Sequence, residues 1–471
     1  MGKVRMSYLG SGFLVLVAII IMMTKPFSEN MSDIAQLMLG GILITLCIWI
    51  FKPFQLPYSV GGLFLALFSL AVGLQPADVF FGFTHSAIWT LVSALFFGYT
   101  LQKTGLGKRI AMAIIKLSKP TYPSLVFAWV LIGVALSVLT PSSTVRIAIV
   151  IPIALQCCEL FKLEKGSKGS SLILLTAFSM ALLPGVGWLS GTLWGPIISG
   201  MINGVPATAG LVTFSSWFSV LFLPITVMTI LLIAGSLIVF KPKEKLSQDA
   251  INAIKSAPVE KMCRQEIIAA IILVTVFVMF ITSRFHGLSD VVLCLVAVFA
   301  FFLFGVLETK DFNAGVNWDL IVFVAIALSI GPIFKVTGIS EWFAGIIVPA
   351  LAPVAVNPWL FMFSMTTFMF LWRFFDIAFF IPTMAILVPI LPDIQAAYQI
   401  SPLVWLAIFV MAANCFFMAY QNVWAMMSRS IVGEKAWNNK HLTIYGILYF
   451  IACLLALIPT IPVWIHNGLF G

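Results

Sequence analysis

Charge is what this 471-residue chain has least of: acidic and basic side chains make up 9% of it, against 61% hydrophobic residues. Soluble globular domains carry roughly 25% charged residues, so an ordinary soluble fold is excluded. Histidine is rarer still, with four in the whole chain, and the seven cysteines (Cys47, Cys157, Cys158, Cys263, Cys294, Cys415, Cys453) are scattered without metal-ligand spacing. They read as small apolar residues, and no bound metal is expected. Enzyme signatures are missing too. No glycine-rich phosphate loop follows a strand, and neither His-Glu-x-x-His nor Gly-x-Ser-x-Gly occurs. Prenyl or phosphoryl transfer in a membrane needs clustered carboxylates for magnesium, which the apolar regions lack. The expectation is a protein that is not an enzyme and has no cofactor. Its net charge of +9 does not point to nucleic acid, because the basic residues sit in short loops.

What is abundant is apolar sequence in runs of about 17–25 residues, the length that spans a bilayer. They predict an all-α polytopic membrane protein with about eleven crossings and two re-entrant hairpins. The crossings fall near 8–24, 33–51, 58–75, 86–102, 170–200, 212–240, 265–283, 288–307, 318–335, 401–428 and 441–466. The N-terminus has the charge and length of a signal peptide but no small-x-small cleavage site, so residues 1–30 are read as a first membrane helix. A first repeat over 31–240 holds a hairpin at 121–157. A polar linker over 241–264 follows, and a second repeat over 265–471 holds a hairpin at 354–391. Basic residues test this layout. Lys3, Arg5, Lys52, the runs Lys103–Lys119 and Lys162–Lys168, the linker, Lys310 and Arg429–Lys440 fall on one side; Lys25, Arg284 and Lys335 fall on the other. The asymmetry holds only if each hairpin returns to the side it entered from. The first is then entered from the cytoplasm and the second from outside, with the N-terminus cytoplasmic and the C-terminus external, in a cell's inner membrane.

The two halves share positions in the same order. LQKTGLGKRIA (101–111) lines up with FKVTGISEWFA (334–344), and RIAIVIP (146–152) with DIAFFIP (376–382) at a spacing of 230. Pro123/Pro353 and Trp194/Trp424 keep that spacing. An odd number of crossings per repeat makes the halves inverted, as in many secondary transporters whose sites lie at the repeat interface. The stretch Leu139–Gln156 is the most telling. It places Pro141, Ser142, Ser143, Thr144 and Arg146 between apolar arms, and an arginine at membrane depth must face protein, water or a ligand.

TPSSTVR followed by Pro152 resembles the TPSNTxR…P signature of the divalent anion:sodium symporter family, on the branch with bacterial citrate/succinate and plastid 2-oxoglutarate/malate translocators. That resemblance implies eleven crossings, two opposed hairpins in inverted repeats, transport of di- or tricarboxylates or of sulfate-type anions, and a homodimer. In the family the tip Ser-Asn-Thr contributes to sodium and carboxylate binding, which assigns Ser142, Ser143 and Thr144 to substrate and Ser142 and Ser143 also to a coupling ion. Three departures stand out. The tip asparagine is Ser143. The second tip holds Trp372-Arg373-Phe374. The Thr-Pro-Pro-like signatures give way to LPGVGWLSGTLWGP (183–196) and NCFFMAYQNVWAM (414–426). These keep anion transport and put sodium coupling in question.

Arg146 and Arg373 can each hold a carboxylate or sulfate in a bidentate fork. Structural pairs are open to them as well: Arg373 with Asp376 at i,i+3, or Arg146 with Asp376 across the pseudo-twofold axis. Asp376 is then either a paired charge or an acid that exchanges protons. The glycine-broken crossings offer free backbone groups, giving Gly185 and Gly187 to a coupling ion and Thr192 and its equivalent Asn422 to substrate; close helix packing is the other use of such glycines. His85, His286, His441 and His466 fall near helix ends and read as interfacial. The whole is a secondary transporter of small anions, coupled to Na+ or H+, with a sodium/proton antiporter using Asp376 as the competing reading.

Overall fold

Apolar helices need one another, and here they build the whole chain. The computed structural model describes residues 2–256, 261–374, 376, 380–433 and 438–471, without the side chains of 2–9, 253 and 284. The described residues contain no strand beyond a single bridge between Ile400 and Phe470. Leaving one-turn pieces unlabelled, the first half runs through α1 (Gly2–Thr24), α2 (Asp33–Phe51), α3 (Tyr58–Ala71), α4 (Ser86–Lys103), α5 (Leu106–Lys116), α6 (Tyr122–Leu139), α7 (Ser143–Leu160), α8 (Lys168–Leu182), α9 (Trp194–Gly204) and α10 (Phe214–Phe240). After α11 (Gln248–Ser256) come α12 (Arg264–Ile281), α13 (Asp290–Leu303), α14 (Trp318–Thr337), α15 (Ile339–Ala355), α16 (Pro358–Trp372), α17 (Ile381–Leu387), α18 (Leu391–Tyr398), α19 (Pro402–Ala413), α20 (Val423–Val432) and α21 (Asn439–His466). Among the described residues nine helical spans are long and apolar enough to cross a membrane, and six shorter apolar helices accompany them. The chain is an all-α polytopic membrane protein.

In element order, the seven helices α4 to α10 can be set against the eight of α14 to α21, with α7 facing the two shorter helices α17 and α18. A left-handed glycine separates α4 from α5 (Gly105, φ 78) and α14 from α15 (Gly338, φ 78), at the Thr-Gly pairs matched in the sequence. Of the matched DIAFFIP, residues 377–379 lie outside the described residues. Helices α8 from Gly169 and α19 throughout are buried on every side, as helices that are hydrophobic all round must be. Large apolar side chains such as Leu67, Ile271, Val278, Phe299 and Leu371 instead stand exposed on the outer helices, the surface a bilayer requires.

Several boundaries move. The crossing expected at 58–75 contains only the 14-residue α3, because Gly73 (φ 98) turns the chain after it. Where a hairpin is expected over 354–391, the helices α16, α17 and α18 cover Pro358–Tyr398. Residues 354–355 end α15, and Asn357 starts the first arm by accepting from Trp359 N at 2.8 Å, with Pro358 at the first helical position. The polar linker also contains a helix. In α11, Ala250, Ile251 and Ile254 share one face, are buried, and pack toward α5.

The halves are joined by contacts between outer helices. Tyr58 stacks on Phe323 at 4.9 Å, Ser59 N donates to Asp319 Oδ1 at 2.8 Å, and Gly82 lies so close to α14 that a Cβ would meet Ala325 O at 1.8 Å. At the far end of α4, Lys103 Nζ reaches Asp311 Oδ2 at 2.5 Å and Tyr99 donates to Oδ1 at 2.8 Å. Arg109 of α5 forks onto Glu266 of α12 through Nε and Nη2, each at 2.9 Å. Burial acts to raise the Asp311 carboxyl, but Lys103, the Glu308 amide and Tyr99 more than reverse this, so it titrates below its ordinary value. A carboxylate lowered on folding contributes stability above its unfolded pKa and loses it as pH falls through the folded one. Asp311→Asn is therefore expected to lose about 2 kcal/mol at neutral pH. The gap from wild type should shrink below about pH 4, where the unfolded-state carboxyl protonates; thermal unfolding of the detergent-solubilised protein checks both.

Candidate functional site

Pro141 makes the first hairpin tip. A proline disfavours helix for the residue before it, and Thr140 is accordingly extended (φ −151, ψ 132). Ser142 restarts the chain as the N-cap of α7, its hydroxyl accepting from Val145 N at 3.4 Å. The tip sits deep in protein. Ser142 and Ser143 are buried, and Gly98 of α4 presses so close that a Cβ would come within 2.7 Å of Ser142 Cβ. Irregular backbone at membrane depth survives only where it is buried in this way or lines a cavity.

Arg146, one turn into α7, is 0% exposed and turns back over the tip. Its Nη2 donates to Ser143 Oγ at 3.0 Å, and its Nη1 to Thr140 O at 3.3 Å and Gly191 O at 2.6 Å. Gly191 lies in the unwound stretch between α8 and α9. A Cβ on Gly185 would meet Gly191 O at 2.4 Å and Arg146 Nη1 at 2.6 Å, so that glycine is what lets the guanidinium in. Gly187 has no such duty, its nearest neighbour lying 3.8 Å from a built Cβ.

The second hairpin reaches the same arrangement from another position. Arg373 ends α16 at the tip, 1% exposed. Its Nη1 donates to Asp376 O at 2.5 Å and its Nη2 to Gln421 O at 2.7 Å, in the unwound stretch between α19 and α20. Gly191 and Gln421 stand at the 230-residue spacing of the two halves, whereas the arginines do not: position 143 matches 373, and 146 matches 376. Arginines from opposite arms of their hairpins thus reach equivalent carbonyls.

The other expected residues fall around these two centres. Thr144 is exposed and accepts from Trp424 Nε1 at 3.1 Å, bringing the first hairpin against α20 of the second half. Thr192 Oγ1 accepts from Trp194 N, the first residue of α9, at 3.1 Å, and Asn422 is the N-cap of α20, its Oδ1 accepting from Trp424 N at 3.0 Å and Ala425 N at 3.2 Å. Asp376 Oδ2 accepts from Thr383 Oγ1 at 2.5 Å and Thr383 N at 3.3 Å. The pairing of Arg146 with Asp376 is corrected: no ion pair joins them among the described residues, since Arg146 is turned toward its own tip and Gly191.

Several participants were missed. Gly191, Gln421 and Thr383 act through a carbonyl or a hydroxyl that hydropathy does not report, although the 230 spacing carried from Trp194 and Trp424 three residues back would have paired 191 with 421. Buried polar atoms without a hydrogen-bond partner gather at both centres: Arg146 Nε and Ser190 Oγ at the first, Asp376 Oδ1, Asn414 Oδ1 and Gln421 Nε2 at the second. Buried polar groups are almost always satisfied, so these mark where a ligand or water would bind. The first centre offers a charged donor, which suits an anion.

The glycines yield a paired expectation. Gly185→Ala should displace the Arg146 guanidinium from Gly191 and cost most of the protein's function, while Gly187→Ala, with ordinary contacts only, should leave folding and function near wild type. Ligand-dependent thermal shift and uptake on the two purified variants check it.

The family described as "Sodium:sulfate symporter transmembrane region" matches residues 7–468. The chain is similar to an L-tartrate/succinate antiporter of Escherichia coli (strain K12), 23% identical over 309 residues, covering 62% of this chain and 61% of that protein. It is also similar to dicarboxylate transporter 1, chloroplastic, of Arabidopsis thaliana, 22% identical over 362 residues, covering 75% and 64%. The match thus spans less than two thirds of either relative's own length. Among solved structures, the crystal structure of the Alcanivorax borkumensis YdaH transporter shares the fold, with a TM-score of 0.55, 13% identity and full coverage of both chains.

Proposed function

The chain belongs to the sodium:sulfate symporter family, whose members compared above are transporters and not enzymes, and on that premise we propose that it is a secondary transporter of small divalent anions that works as a sodium-independent exchanger. The observation that carries this reading is the pair of arginine-to-carbonyl bonds, Arg146 to Gly191 and Arg373 to Gln421. In transporters built from inverted repeats, unwound carbonyls are where the coupling cation binds. Here each such carbonyl already faces a fixed guanidinium, which supplies both the positive charge and the hydrogen bonds. Two permanent charges at the hairpin tips attract a dianion without imported sodium. They also leave the empty carrier unfavourably charged, which favours returning with another anion. Di- or tricarboxylates are the favoured cargo, in line with the relatives' names, and sulfate-type anions follow from the family's.

The competing sodium/proton antiporter reading has less behind it. Thr383 donates twice to Asp376 Oδ2, and Arg373 binds the same residue's carbonyl, the setting of a held carboxylate. The two repeats, 31–240 and 265–471, would hold the anion between their tips and alternate access by moving against the outer helices, in a homodimer of an inner membrane. The charge asymmetry of the loops supports a cytoplasmic N-terminus and an external C-terminus, with the linker in the cytoplasm.

In proteoliposomes, a counterflow panel of succinate, tartrate, citrate and sulfate should show exchange that is unchanged when sodium is replaced by choline. Arg146→Met and Arg373→Met should each cut exchange at least about tenfold, the loss of one charged hydrogen bond being worth about 1.5–3 kcal/mol. Strict sodium dependence would sink the exchanger reading. Orientation is tested separately through Cys263, the exposed cysteine in the linker, the others described being buried. A membrane-impermeant maleimide should label it in inside-out vesicles and not in right-side-out ones.

A further inference from the structure

A cavity of about 320 Å³ lies between the start of α4, the whole of α9 and the start of α13. Its polar lining includes His85, Ser199, Asn203 and Asp290. A smaller space of about 30 Å³ adjoins it, sharing Thr90, Leu189, Pro196 and Asp290, and reaches Pro141 at the hairpin tip and Ser190 in the unwound stretch. The shared lining places the two spaces in line, from one face of the molecule toward the hairpin tip over which Arg146 folds. That face carries the N-terminal end of α4 and the C-terminal end of α9, the external face in the proposed orientation.

A route for anions would be expected to be lined with positive charge, and this one is not. Among the described residues neither space is lined by a lysine or arginine, and Asp290 borders both. His85 accepts from Ala87 N through Nδ1 at 3.2 Å, which leaves its proton on Nε2 as a neutral donor to the cavity. The helices packed against α13 add little charge nearby. At this end of α12 stands His286, its ring bonded to Met279 O at 2.9 Å and accepting from Leu288 N at 3.0 Å. Beside it is Arg284, whose side chain is outside the described residues. Cys294 lies one turn along α13 and lines the inner space. Helix α9 has no titratable residue. Lys103 of α4 and Glu266 of α12 sit at the opposite ends, bonded to Asp311 and Arg109.

We infer that Asp290 is a charge gate on the anion's route to the first hairpin: ionised, it holds a divalent anion off, and protonated, it lets the anion pass to Arg146. This rests on the transport reading above. The repulsion between a carboxylate and a dianion a few ångströms apart in a partly desolvated passage is on the order of kcal/mol, enough for about a tenfold effect on entry. The proton comes from solution on that face and stays on Asp290 during passage, so the gate selects for low pH without being carried across. Selectivity follows as well, because singly charged anions meet half the barrier.

The test is succinate counterflow into liposomes holding the full-length protein, with external pH at about 6 and about 8. Comparison of variants at the same pH cancels the protonation of the substrate itself. Relative to wild type, Asp290→Asn should raise the rate at pH 8 about tenfold, flattening the ratio between the two pH values, while Asp290→Glu should keep the wild-type ratio. Asp290→Ser, expected to behave as Asn, guards against one variant failing to fold, and size-exclusion chromatography monitors each. An unchanged ratio in both neutral variants, with wild-type exchange intact, overturns the gate alone. If the wild-type protein exchanges none of the panel, the transport reading falls and this inference with it.

Discussion

A carbonyl set free by an unwound helix and a guanidinium buried in the membrane are each untenable alone, and in this protein they satisfy one another. Lipid offers no hydrogen bonds, so every backbone group at that depth needs an internal partner. The breaks after α8 and after α19 expose carbonyls in the middle of helices buried on every side. Arg146 and Arg373 close them at Gly191 and Gln421, over 2.6 Å and 2.7 Å. The hairpin tips are held down by the same bonds, because each arginine is rooted at its tip. Removing one partner would strand the other, so hairpin and broken helix stand or fall as a unit in each half.

The halves achieve this unequally. In the first, the arginine lies at the start of the second arm and reaches back over Ser143. In the second, it ends the first arm and reaches forward over Asp376. The long, flexible stem lets a guanidinium rooted three positions away meet the equivalent carbonyl. What differs is the rest of each centre. One leaves Arg146 Nε and Ser190 Oγ without a partner, the other Asp376 Oδ1, Asn414 Oδ1 and Gln421 Nε2. On the transport reading both guanidinium groups face the anion, that of Arg373 with Asp376 beside it. The hydrogen bond from Trp424 to Thr144 links the two.

Around these centres the outer helices are held by polar contacts between halves, among them Ser59 with Asp319, Lys103 with Asp311 and Arg109 with Glu266. These lie toward helix ends, where charges keep some solvent. The deeper contacts are close backbone approaches such as Gly82 on Ala325.

How much of this could be read beforehand follows from which physics each feature obeys. Hydropathy depends on composition along the chain, so the all-α membrane class was legible, and Pro141 marked the break between α6 and α7. The buried status of Arg146 and Arg373 was legible too, because charge at membrane depth admits few alternatives. Boundaries slipped where single residues act locally, at Gly73 and at Asn357-Pro358, and the helix inside the polar linker was masked by its flanking lysines. The partners of the arginines were beyond the sequence. Every residue has a carbonyl, and nothing in the identity of Gly191 or Gln421 marks theirs as accepting; the choice is made where a hairpin folds against a broken helix 45 or 48 residues further along the chain. Asp290 shows the same division. Nothing in the sequence singles it out at the head of its apolar helix, and only the packing of α4, α9 and α13 makes it the wall of a cavity. Sequence determined which segments enter the membrane and which charges had to be sheltered there; tertiary structure decided what shelters them, because hydrogen bonds and cavities are formed between segments and belong to none of them singly.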